Sequence, residues 1–403
     1  MTVCPLETGE RDSKHLDLEF NSFSIGMDLE TAVQLPRSKP KRRLTWRKQL
    51  VFCLVVWLLA LVVVSAIGES VLRWERGGIT YHLRSVLGIP VPEAMTWAVY
   101  DPDLGYRNRA EWHDHNADGM RGRATTPKDS TRYRILLVGD SIGYYGDSAQ
   151  DTYPGQLETI LNSDPKLCPS EILNASTKGY TNYQELVYLK KFGLDLRPDL
   201  VLLAVCLNDW HASLHNFTII DGKIVGASYH FSPQAERSLL PEDLLGRVIR
   251  PSLFLTWVWT KGRAAVTSWG LDDGYLFDRL IDVAPAWKAN AWPAFEAQFT
   301  EISALCRNRG EKLAAVVFPH ALQYRRQYLE RDRDYVLRPQ QQLIRLCENL
   351  DIPLLDLYGE FDPSHFLEDQ IHLTAAGRTL AAGQIAGFLS ESRLIPKCQE
   401  DSN

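Results

Sequence analysis

A chain of 403 residues with a 45% hydrophobic share has room for one large domain or two ordinary ones and is too apolar to be disordered along its length. Its 44 basic and 50 acidic residues leave a formal net charge of -6, which excludes the basic field that nucleic-acid binding uses. No spacing of the seven cysteines matches a metal site or requires a disulfide, and no cofactor-binding motif is present.

The first 48 residues read as a cytoplasmic tail, mixed in polarity and without periodicity. Leu50 to Ile67 is an uninterrupted apolar run, long enough to cross a bilayer as a helix and apolar on every face. Seven basic residues from Arg37 to Lys48 precede it, whereas Glu69, Arg73, Glu75 and Arg76 roughly cancel after it. The positive-inside rule then puts the N-terminus in the cytoplasm and the rest outside. With about fifty residues before it, the run at 49–68 reads as a permanent signal anchor rather than a cleaved signal peptide. Residues 69–97 carry Gly77-Gly78 and Pro90-Val91-Pro92 and are expected to form an irregular stalk.

From Arg134 the pattern alternates: strand Ile135–Val138, helix Pro154–Asn162, strand Glu171–Leu173, helix Tyr183–Phe192, strand Leu200–Val205. It returns with a helix around Phe295–Arg307 stopped by Gly310, a strand Leu313–Phe318, a helix opened by Pro339 and a strand Pro353–Leu357. Such alternation implies an α/β fold with a parallel sheet and right-handed crossovers. Between about 211 and 292 it is lost, which predicts an insertion with a hairpin at Asp221-Gly222. Its Trp257, Trp259 and Trp269 are either packed or line a carbohydrate or acyl site.

Ser141 of Gly139-Asp140-Ser141 follows the first strand, at the sheet edge where open α/β folds hold their sites. A serine hydroxyl needs a base, and Asp369-Gln370-Ile371-His372 supplies one: an aspartate three residues ahead can take the imidazole N–H and leave the other nitrogen for the serine. Gly179 and Asn208 follow later strands and can give two oxyanion donors, each contributing on the order of 3 kcal/mol to the transition state. Asp114 to Gly119 matches only the first half of a calcium loop, since position twelve is Thr125, so no metal is expected.

Gly-Asp-Ser, a downstream glycine, Asn208-Asp209 after a strand and Asp-x-x-His near the end, in this order, resemble the SGNH (GDSL-type) hydrolase superfamily. Asp101 to Tyr106, Asp151 to Pro154 and Gly179-Tyr180 with Gln184-Glu185 look like its bacterial membrane-anchored branch. The resemblance implies a three-layer, flavodoxin-like sandwich over 98–395, before a tail at 396–403. It implies Ser141 as nucleophile, His372 as base and Asp369 as its orienter, an oxyanion hole from Ser141, Gly179 and Asn208, and supporting roles for Gly139, Asp140 and Asp209. Cys206 and the Ile142-Gly143-Tyr144-Tyr145 stretch depart from the family pattern, which bears on the shape of the site. The function expected is an extracytoplasmic serine esterase removing acetyl or other small acyl groups from envelope or secreted polysaccharide. The alternatives are an O-acetyltransferase using the same acyl-serine and a non-catalytic glycan-binding or assembly protein.

Overall fold

Strand β3 (Tyr133–Gly139) is the centre from which the catalytic part is built, and six of its seven residues are buried. In this computed structural model, which describes residues 45–76, 78–211, 216–228 and 244–397, β3 is flanked by β4 (Ser170–Asn174) and β5 (Leu200–Val205). The sheet continues through β8 (Lys312–Val317) to β9 (Leu354–Asp356) in the order β4-β3-β5-β8-β9, every neighbouring pair parallel. Strands covered on both faces need apolar residues at consecutive positions rather than alternate ones, which is why Ile135 to Val138 and Leu200 to Val205 read as unbroken runs.

Alternate residues of those runs feed two cores. Leu136, Val138, Val201, Leu203 and Val205 pack with Leu186, Phe295, Phe299, Ile302 and Leu343 from the helices Asn182–Tyr188, Trp292–Arg309 and Arg338–Asn349. Ile135, Leu137, Leu200 and Leu202 pack with Leu157, Leu161, Ile385 and Leu389 from the helices Tyr153–Ser163 and Ala375–Glu391. The three layers follow: helices on both faces of one parallel sheet. The helix starts are capped as their sequences dictate: Thr152 accepts the N–H of Gly155, with Pro154 in the first turn, and Thr374 accepts the N–H of Gly377.

Two antiparallel hairpins stand outside the sheet, β1 (Ala98–Asp101) with β2 (Gly105–Asn108) and β6 (Asn216–Ile220) with β7 (Lys223–Ser228). The second turns at Asp221-Gly222 with φ of 51° and 73°, two successive left-handed residues of the kind a two-residue hairpin needs.

The chain divides into two units, 1–57 and 58–403. Among the described residues one helix, Trp46–Arg76, is long and apolar enough to cross a membrane, and none of its most apolar window is buried. It runs beyond the expected 49–68, and a further helix, Ile79–Val86, follows, so the irregular stalk expected over 69–97 is largely helical. Gly78, at φ 63°, precedes the second helix. Ser252, which caps the helix Leu253–Ser268, donates through its hydroxyl to Glu69, as does the N–H of Phe254. The helix expected to end at Phe192 becomes a π-turn over Leu189–Gly193. A charged helix, Arg326–Val336, has too few apolar residues to have been expected. Most of the tail expected at 1–48, the end of the one at 396–403 and parts of the 211–292 insertion lie outside the described residues.

Candidate active site

Asp140 and Ser141 sit where β3 ends and a single helical turn, Ser141–Tyr144, begins. Asp140 caps that turn by accepting the N–H of Ile142 at 2.8 Å, which leaves Ser141 leading it with its N–H among the donors a first turn cannot satisfy internally. The turn is clamped from β4: Asn174 donates its amide to the carbonyl of Gly143 at 3.0 Å. Gly143 has to be glycine, because a Cβ there would lie 2.2 Å from the hydroxyl of Ser176.

His372 approaches from the other end of the chain. Its segment is fastened by the N–H of Leu367 donating to the carbonyl of His372 at 2.7 Å and by the N–H of Ala321 donating to that of Gln370 at 3.0 Å. Nδ1 of His372 lies 2.7 Å from Asp369 Oδ2 and Nε2 lies 2.9 Å from Ser141 Oγ. A carboxylate only accepts, so Nδ1 carries the proton and the bare Nε2 accepts the serine hydroxyl. The competing contact from Ser141 Oγ to Asp140 is longer, at 3.3 Å. Burial works against ionisation of Asp369. The bonds from the His372 side chain and from the N–H groups of His372 and Ile371 outweigh it and hold the carboxyl below the usual aspartate range.

The other expected residues fall on the strands that flank the serine. Gly179 follows β4 in a turn at φ 70°, and its N–H makes no hydrogen bond among the described residues. Asn208 follows β5 and is buried beside Asp140, whose charged form its amide favours. Gly179 and Asn208 thus follow the two strands that flank β3, which carries Ser141 at its end. Gly139 packs so closely on Ala204 that a Cβ would lie 2.9 Å from it.

Beneath these groups lies a set of buried acids. Asp140, Glu185 and Asp209 are all at most 1% exposed. Burial pushes each carboxyl above its usual range, reinforced by Asp140 at Glu185 and by Glu185 and Asp140 at Asp209. Asp209 accepts the N–H of Cys206 at 2.8 Å, while both oxygens of Glu185 lack a partner among the described residues.

A cleft of about 580 Å³, lined by Trp112, Tyr144, Tyr145, Lys178, Arg121 and Asp147 among others, meets the Ser141–His372–Asp369 group at Tyr145. The ring of Tyr145 lies 4.0 Å from that of His372. None of Trp257, Trp259 and Trp269 lines this cleft; Trp269 is 72% exposed and Trp257 and Trp259 belong to the helix Leu253–Ser268. The half calcium loop is otherwise engaged: Asp114 receives Arg121 at 2.9 Å, and Asn116 accepts the N–H groups of Asp118 and Met120. Among the histidines other than His372, His320 is buried and accepts the N–H of Leu322 through Nδ1; burial pushes its pKa down to about 3, so it stays neutral. His115 donates Nδ1–H to the carbonyl of Arg109 and accepts the hydroxyl of Tyr144 through Nε2. Neither role had a signal in the sequence beyond a lone histidine.

The profile of the GDSL-like lipase/acylhydrolase family matches residues 137–380. Among solved structures, TesA is 14% identical, over 64% of this chain and 98% of its own, with a TM-score of 0.37. The acetyl xylan esterase AlAXEase is 14% identical over 63% and 98%, TM-score 0.37. A lipase/acylhydrolase from Enterococcus faecalis is 15% identical over 66% and 98%, also at 0.37. No curated protein matches the chain.

Proposed function

The chain belongs to the GDSL-like lipase/acylhydrolase family and is a serine hydrolase of carboxylic esters, and from that premise we propose that it removes small acyl groups, acetyl foremost, from envelope or secreted carbohydrate outside the membrane. In this reading residues 1–48 are cytoplasmic, 49–68 anchor the chain and 98–395 form the catalytic domain. The observation that carries it is the relay from Ser141 Oγ through His372, 2.9 Å and 2.7 Å on its two sides, to Asp369. Ser141 attacks the ester carbonyl as His372 Nε2 takes its proton. The N–H groups of Ser141 and Gly179 and the amide of Asn208 receive the negative oxygen. His372 then returns the proton to the leaving alcohol, and water, activated by the same nitrogen, releases the acid from the acyl-serine.

Hydrolysis is favoured over transfer to a sugar because His372 and Asp369 stand open to solvent, with side chains 17% and 48% exposed. The test is turnover of 4-nitrophenyl acetate by the full-length protein in detergent. Ser141→Ala should lower kcat by at least roughly a thousandfold with an unchanged melting curve. Undiminished turnover in that variant overturns the reading.

A further inference from the structure

Lys178 directly precedes the glycine proposed for the oxyanion hole, and its ammonium sits among three rings. Nζ is 5.1 Å from the centroid of Trp97, 4.6 Å from that of Tyr144 and 5.4 Å from that of Tyr145. Ring faces hold a cation in place, yet they neither neutralise it nor accept its three N–H bonds. Among the described residues no carboxylate pairs with it: Asp114 of the same cleft gives both oxygens to Arg121, and Asp147 stands exposed on the rim. Burial, with Arg121 nearby, holds the amine below the usual lysine range, as expected for a half-buried ammonium with no anion beside it.

The cage is built rather than incidental. The Tyr144 hydroxyl is held by His115 at 2.8 Å, and His115 in turn by the carbonyl of Arg109 at 2.8 Å, which fixes the ring against which Lys178 lies. Arg121 ties down the backbone of the same stretch through the carbonyls of Tyr144 and Gly146. The Tyr145 ring of the cage is the one that lies on His372, so the ammonium and the triad share a wall. Trp112 adds an aromatic surface in the same cleft.

We propose that Lys178 is a specificity-determining residue that receives an anionic group, the carboxylate or sulfate of an acylated acidic sugar, while the aromatic walls hold the sugar ring and the ester reaches Ser141. This deepens the esterase reading and depends on it for the ester, but binding of the charged group is measurable without turnover.

The probes are methyl mono-O-acetyl-glucuronide, its neutral glucoside counterpart and a sulfated glucoside, titrated calorimetrically into the full-length Ser141→Ala protein. Either charged sugar should bind about tenfold tighter than the neutral one at low salt, the advantage of one charge-assisted hydrogen bond. Adding Lys178→Gln should bring that ratio close to one, Lys178→Arg should keep most of it, and salt should erode it. A ratio unmoved by Lys178→Gln, an equal loss for charged and neutral sugars, or no preference at all overturns the proposal. Charge preference in a protein that hydrolyses no ester would leave the proposal standing and remove the esterase reading. Serine-dependent hydrolysis without charge preference does the reverse.

Discussion

Asp369, in the proposed mechanism the orienter of the base, engages both of its oxygens. It fixes the His372 tautomer through Oδ2 and caps its own turn by accepting the N–H groups of Ile371 and His372 through Oδ1. With its folded pKa held low, the native state binds fewer protons than the unfolded chain. The stabilisation is therefore present above the ordinary aspartate value and lost as pH falls through the lower folded one. Asp369→Asn should lower kcat by roughly a hundred- to ten-thousandfold, through loss of the tautomer that leaves Nε2 bare. It should also flatten the fall in melting temperature below about pH 4, by a small amount because the carboxylate is 48% exposed and solvent screens it. Wild-type pH dependence of melting in that range would count against this account. The hydrogen-bonded grouping of Ser141, His372 and Asp369 was legible from the sequence because each belongs to a short local pattern. Lys178 was not, since the three rings around it come from positions 97, 144 and 145 and no local spacing announces them.

The helix Asn182–Tyr188 has a conflict between burial and charge. Glu185 is fully buried, with no partner for either oxygen among the described residues, and burial together with Asp140 pushes its carboxyl well above the usual glutamate range. Here the native state binds more protons than the unfolded chain, so stability declines as pH rises from the ordinary glutamate value toward the folded one. Glu185→Gln keeps the shape without the charge. Its melting temperature should therefore fall less than that of the wild type between about pH 5 and pH 8. Identical slopes by scanning calorimetry would show that Glu185 does not hold its proton. Strands and helices of the sandwich were legible because continuous apolar runs and 3.6-residue periodicity arise from burial within each element. The insertion was legible only at its hairpin: Tyr275, Phe277 and Trp287 join the core through rings brought from Tyr328 and Tyr335, a tertiary match that no window of sequence contains.

Across the whole molecule, charge is treated differently at the two ends of the sheet. At the amino ends of β3 and β4, Arg134 and Glu171 form a buried pair at 2.7 Å, and the guanidinium is completed by the carbonyls of Leu196 and Thr126. At the carboxyl ends, the acids under Ser141 remain incompletely bonded, as expected where chemistry rather than stability sets the residues. The proposed topology makes a further prediction at this scale. Alkaline phosphatase fused after residue 403 should be active outside the membrane, and the protein should stay with membranes after carbonate washing; a cytoplasmic carboxyl terminus would reverse the orientation.

The bonds from Ser252 and Phe254 to Glu69 bear on how far the enzyme can forage. Glu69 comes two residues after the apolar run ends, and an α-helix rises about 1.5 Å per residue. A domain gripped there is not a float on a long line. In the proposed anchored topology it would be a tool mounted close to the bilayer, its catch limited to ester-bearing strands in the first few nanometres above the lipid. Cutting the mount, by a flexible spacer inserted after residue 76, would widen that working zone without touching a single reacting atom.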